Sequence, residues 1–143
     1  MTRLHELTVG DLMTTAVITV YPDALLDEAL AQMRDADIRH LPVVDRRRRL
    51  VGILSDRDLL RQSGKPHGSR HRVDEAMTRN VVSVGPATLA SEAAALLIDN
   101  KIGALPVLDE ELALVGVVTE TDFLRIALEA LGGAGIDGGS RFD

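Results

Sequence analysis

The stretch GILSDRD, residues 52–58, returns sixty-four positions later as GVVTETD, residues 116–122. Each copy is a glycine, two aliphatics, a hydroxyl, two polar residues and an aspartate. An aliphatic run feeding a hydroxyl residue predicts a strand that ends where a helix begins. One copy would already make that unit, so the duplication asks what the pair does together. Working outward, residues 9–61 lie over 73–125 without a gap, and roughly four positions in ten are identical, far above chance for stretches of this length. Met13 matches Met77, Pro22 matches Pro86 and Glu28 matches Glu92. Leu41-Pro42-Val43 matches Leu105-Pro106-Val107, and Asp58 matches Asp122. The shared prolines, and the glycines Gly52 and Gly116, are expected where the chain changes direction.

Each copy reads strand, helix, strand, strand, helix. Val17 to Val20 and Val81 to Val84 are β-branched runs closed by a proline. Leu25, Leu26, Ala29, Leu30 and Met33 recur at helical spacing, as do Leu89, Ala93, Leu96 and Leu97. Residues 38–44 and 50–54 predict short strands around a turn at 45–49, repeated around 109–113, and the last helices start near Ser55 and Thr119. The organisation expected is repeat 1 at 9–61, a polar Gly/Pro linker at 62–72, repeat 2 at 73–131 and a flexible Gly-rich tail at 132–143.

Composition narrows the function. The chain has 143 residues, enough for one ordinary domain or two small halves that must lean on each other. It is 45% hydrophobic and 27% charged, with mean hydropathy near zero and no apolar run of membrane-spanning length. The opening MTRLHELTVG lacks the apolar core of a secretory signal, so a cytoplasmic location is expected. The absence of cysteine removes disulfides, thiolate catalysis and cysteine-ligated zinc. A net charge of −6 disfavours phosphate backbones and anionic membranes. Tyr21, Phe123 and Phe142 are too few to stack single-stranded bases, so nucleic acid is not the expected partner.

These motifs together resemble the CBS-domain family, and specifically a stand-alone tandem pair, or Bateman module. The resemblance rests on Met13-Thr14 and Met77-Thr78 before a β run, on IRHLPVVD and IGALPVLD, on VGILSDRD and VGVVTETD, and on the duplication itself. It implies an α/β (α+β) fold of two β-α-β-β-α repeats about a pseudo-twofold axis, with adenosine ligands in the clefts between them. Carried over position by position, one pocket takes Val17, Ile18, Ile38, Ile53, Ser55 and Asp58, and the other Val81, Val82, Ile102, Val117, Thr119 and Asp122. The resemblance also implies a homodimer formed through helix faces.

Two readings of the hydroxyl-to-aspartate spacing stand side by side. A hydroxyl at a helix start can help backbone N–H groups hold a phosphate, and an aspartate one turn on can accept from a ribose. The same spacing makes a capping box that binds nothing. The copies also differ in charge: Arg39-His40 and Arg57 face Gly103-Ala104 and Thr121. In the resembling family such basic residues often reach phosphate, so the first repeat is expected to dominate phosphate contacts and make the pockets unequal. His40 fits packing or ligand contact, and its titration near neutrality could make binding pH-dependent. The run Arg46 to Arg49 reads as a solvated turn, His67 and His71 as linker polarity rather than a metal site, and Met13, Met33 and Met77 as core or interface packing.

No catalytic constellation is visible: Ser55 has no paired histidine, no phosphate-binding loop motif occurs, and the aspartates belong to separate repeats. The expectation is a non-catalytic sensor of AMP, ADP, ATP or S-adenosylmethionine, with Mg2+ able to accompany ATP, acting on an unidentified protein target. The alternative is an interaction module with vestigial pockets that docks on a partner through its helices.

Overall fold

The structure, a computed structural model, describes residues 3–66 and 70–133. His67, Phe142 and most of the Gly-rich tail lie outside the described residues. Elements run as α1 (Val9–Leu12), α2 (Leu26–Ala36), β1 (His40–Val44), β2 (Leu50–Ser55), α3 (Asp56–Ser63), α4 (Val73–Ala76), α5 (Ala90–Asn100), β3 (Ala104–Leu108), β4 (Leu114–Thr119) and α6 (Glu120–Ala130), with a 3-10 turn at Leu4–Glu6 ahead of them.

Each repeat centres on an antiparallel hairpin, β1 with β2 and β3 with β4. The hairpin turns are built by Asp45 and Asp109. The Asp45 side chain accepts from the Arg47 and Arg49 amides at 2.9 Å each, and Asp109 does the same for Glu111 and Ala113 at 2.8 and 3.0 Å. Arg46 to Arg49 are exposed, and Arg46 stacks 4.2 Å above the Tyr21 ring. The turn is not simply solvated, however: Arg48 Nε donates to the Leu114 carbonyl at 3.3 Å and Leu114 N–H donates to the Arg48 carbonyl at 3.0 Å, docking it on the second hairpin. Pro42 is tolerated inside β1 because its partner Ile53 turns its own N–H and C=O outward, to Thr78 at 3.0 and 2.9 Å.

The first predicted strand of each repeat is reduced to one residue of pairing. Val20 forms a parallel bridge with Val43, and Val84 with Val107. Past Val20 the chain turns at once, with the Ala24 amide donating to the Tyr21 carbonyl at 3.1 Å, so no ladder can extend.

Gly52 and Gly116 do not mark changes of direction. Both lie inside strands, and the reason for glycine is space. A Cβ on Gly52 would stand 2.5 Å from Met77 Sδ and 2.9 Å from the Thr78 carbonyl; on Gly116 it would stand 2.7 Å from Met13 Sδ and 3.0 Å from the Thr14 carbonyl. Each methionine of one repeat therefore lies on the strand of the other, and Thr14 bridges Val117 as Thr78 bridges Ile53.

This exchange organises the core. Val73 and Met77 pack with Val20, Leu26, Met33, Leu41 and Leu54, in the hydrophobic cluster of the first repeat. Val9, with Leu12 and Met13 at its edge, packs with Val84, Leu97, Leu105 and Val118 in the second. The opening segment of each repeat thus completes the other's core. The connector is also more anchored than its composition predicts: α3 continues to Ser63, the His71 carbonyl accepts from Leu26 N–H at 2.9 Å, and the His71 ring contacts Glu75. That carboxylate contact, with the Pro66 carbonyl, raises the His71 pKa.

Candidate functional site

Strand alternation sets the face on which the site forms. In β2, Gly52 and Leu54 are buried while Ile53 and Ser55 are half-exposed; in β4, Gly116 and Val118 are buried while Val117 and Thr119 are half-exposed. The half-exposed pairs turn toward the other repeat, and between them opens a cleft of about 880 Å³, within the usual size range of ligand pockets.

All the residues singled out from sequence line this one cleft. From the first repeat come Val17, Ile18, Ile38, Arg39, His40, Ile53, Ser55, Arg57 and Asp58; from the second come Val81, Val82, Ile102, Val117, Thr119 and Asp122. The two sets, expected as separate pockets, share a single continuous opening. The extended runs 17–18 and 81–82, outside either hairpin, also line it.

The helix starts resolve into capping boxes. Asp58 Oδ2 accepts from Ser55 N–H at 2.8 Å and from the Ser55 hydroxyl at 3.0 Å, while Asp58 N–H donates back to Ser55 Oγ at 3.3 Å. Asp122 Oδ2 accepts from Thr119 N–H at 2.8 Å and from its hydroxyl at 3.4 Å. The first amide of each helix is also engaged, Asp56 N–H on the Arg39 carbonyl and Glu120 N–H on the Gly103 carbonyl, at 3.0 and 3.1 Å. The helix starts therefore offer a phosphate fewer amides than the sequence alone implies. One oxygen of each aspartate is held by its cap, and the other faces an arginine: Asp58 Oδ1 lies 3.2 Å from Arg61 and Asp122 Oδ1 3.8 Å from Arg125. Asp58 is only 3% exposed, and the cap and Arg61 supply hydrogen-bond and ion-pair partners for its buried oxygens.

Sequence reasoning missed Arg61, Arg125, Lys101, Asp56 and Glu120, all of which line the cleft. Arg61 and Arg125 carried a signal, since they match across the repeats and each follows its aspartate by three residues. They also narrow the charge asymmetry. The first repeat brings Arg39, Arg57 and Arg61 to the cleft, and the second brings Lys101 and Arg125. His40 is half-buried, and desolvation lowers its pKa below the usual value against the opposing pull of Asp56.

The CBS domain family model matches residues 9–65 and again residues 73–129. The chain belongs to the CBS domain family. A CBS domain-containing protein of Dictyostelium discoideum is 34% identical over 134 residues, covering 86% of this chain and 92% of that protein. Among solved structures, CBSX2 in complex with AMP superposes with a TM-score of 0.79 at 34% identity, over 87% of this chain and 98% of that one. The CBS domain pair of MJ0100, in complex with 5'-methylthioadenosine and S-adenosyl-L-methionine, gives a TM-score of 0.80 at 28% identity, over 86% and 97% of the two chains. Other curated relatives are enzymes, inosine-5'-monophosphate dehydrogenase and homoserine O-acetyltransferases among them, and this chain spans only 21–24% of their length. The CBS pair is thus a minor part of those enzymes. Among the described residues, no helix is long and apolar enough to cross a membrane and no cluster of three or more potential metal ligands occurs.

Proposed function

We propose that this CBS pair is a non-catalytic regulatory module that binds an adenosine-containing ligand, AMP, ADP, ATP or S-adenosylmethionine, in the cleft between its repeats. The observation that carries the reading is the convergence of every sequence-selected residue on one cleft that joins aliphatic walls to charged side chains of both signs, Arg39, Arg57, Arg61, Lys101 and Arg125 supplying the cations. The aliphatic residues of 17–18, 81–82, Ile38 and Ile102 would sandwich an adenine. The free oxygens of Asp58 and Asp122 would accept from ribose hydroxyls after displacing Arg61 and Arg125, which would then be released toward phosphate. Ser55 and Thr119, with Arg39 and Arg57, would complete the phosphate contacts, and Mg2+ would accompany ATP. Regulation requires that the ligand favour one conformation over another. Such a module works in the cytoplasm as a homodimer on a protein target.

The closed capping boxes favour a second reading. If the Ser/Asp and Thr/Asp pairs serve only their helices, the pair is an interaction module, with exposed Leu60, Ile98 and Leu124 on its helices as the surface. Calorimetric titration of nucleotide-stripped protein with the four ligands, with and without Mg2+, separates the two. Saturable binding that is weakened at least tenfold in a folded Asp58→Ala or Asp122→Ala variant, about 1.4 kcal/mol, is expected of the sensor. No heat and no thermal shift with any of the four would favour the interaction module.

A further inference from the structure

His40 stands where the two halves of the cleft meet. It opens β1 directly across from Ser55, and its ring edge lies against Gly103 of the other repeat. A Cβ on Gly103 would sit 3.1 Å from His40 Cε1 and 2.7 Å from Glu120 Oε1, so ring and carboxylate crowd one point that only a glycine leaves open. The first repeat has Arg39 at the matching position, which makes this junction a property of one side of the cleft.

The charged groups facing the ring come from each element around it. Arg39 is its chain neighbour, Asp56 and Asp58 come from the start of α3, Glu120 from the start of α6, and Lys101 stands on the cleft wall just before Gly103. Asp58 already has Arg61 as its ion-pair partner. Burial therefore prevails over the acidic neighbours, and the free protein holds the ring in its neutral form at pH 7.

We propose that His40 couples ligand binding to proton uptake: a phosphate-bearing ligand in the cleft draws a proton onto the ring, and affinity rises as the medium acidifies. The inference rests on the nucleotide reading of the cleft. The sign follows from the two states. In the free protein the neutral ring is favoured, so His40 contributes stability above its unfolded-state pKa and loses it as pH falls through the lower folded value. A phosphate anion beside the ring reverses this preference, so the complex binds more protons than its parts.

AMP titrates its own phosphate near pH 6, so the test compares wild type with His40→Gln at each pH, which cancels the ligand's ionisation. The ratio of wild-type to H40Q affinity for AMP is expected to rise about tenfold between pH 8 and pH 6. In wild-type protein, the NMR titration midpoint of the His40 imidazole should move upward on saturation with AMP, a readout that stands even where H40Q binds too weakly to measure. A pH-independent affinity ratio, or a His40 midpoint unchanged by bound AMP, overturns the coupling while leaving nucleotide binding intact. Wild-type protein that binds none of AMP, ADP and ATP across this range removes the nucleotide reading and the coupling together.

Discussion

At the scale of single residues, the cleft rests on polar atoms with two uses. Asp58 Oδ2 closes a helix cap and Asp58 Oδ1 holds Arg61, so removing the carboxylate removes both. Ser55→Ala separates the roles, since it deletes the hydroxyl while leaving Ser55 N–H to donate to Asp58. Urea denaturation is expected to show a loss of about 1 kcal/mol for Ser55→Ala, the usual worth of an N-cap. Leu112 is the opposite case, a residue the sequence places against local preference. It has φ of +68° and is exposed. Leu112→Gly should raise stability by roughly 0.5–1 kcal/mol, because relief of the left-handed strain exceeds the added chain entropy; an unchanged or lower urea midpoint would refute this. The Ser/Asp and Thr/Asp pairs are legible in the sequence, but the choice between cap and ligand contact is not. Spacing fixes which atoms share a helix turn, whereas the orientation of each carboxylate oxygen depends on arginines one turn further on.

At the scale of elements, the helices and hairpins follow from periodicity, and the departures have local causes. Val17 to Val20 has the composition of a strand, yet strand pairing needs a partner edge as well as β-branched side chains. Only Val20 finds one, because the turn at Tyr21 ends the run. The short helix α1 escapes the periodic pattern although Thr8-x-x-Asp11 spells its capping box, with Thr8 N–H donating to Asp11 at 2.9 Å. Four residues are too few to show a helical period. Gly52 and Gly116 have the look of turn glycines, and their true constraint, a methionine supplied by the other repeat, has no local signature. Gly52→Ala is expected to destabilise the protein by about 1–3 kcal/mol through overpacking. Met77→Ala is itself destabilising because Met77 is buried, so the informative quantity is the cost of Gly52→Ala in that background. That cost should be smaller than in wild type but not zero, because the Thr78 carbonyl stays in the way. A Gly52→Ala cost that vanishes in the Met77→Ala background would show that the sulfur alone sets the constraint.

At the scale of the whole molecule, duplication alone would give two similar units side by side, and the structure joins them by exchanging their opening segments. Val9 is fully buried in the second repeat's core and Val73 in the first's. The repeats in sequence and the cores in space are therefore offset, which no pattern of hydrophobicity within one copy can reveal. Val9→Ala should cost on the order of 2 kcal/mol, with amide exchange rising most in α5 and in the β3–β4 hairpin although the substitution lies in the first repeat's segment. Faster exchange confined to β1, β2 and α2 would contradict the exchanged arrangement. The same crossing fixes the cleft, since Thr14 and Thr78 tie each repeat's opening to the other's cleft-facing strand. A ligand there touches both repeats at once and can sense their relative placement.

The most direct test of that account is hydrogen–deuterium exchange of the wild-type chain, free and saturated with AMP. Binding between the repeats predicts added protection on both sides of the cleft, around residues 16–18, 38–40 and 55–58 and also around 80–82, 102–104 and 119–122. Protection that is absent, or that falls only on the outer faces of α5 and α6, would contradict a nucleotide site in the cleft.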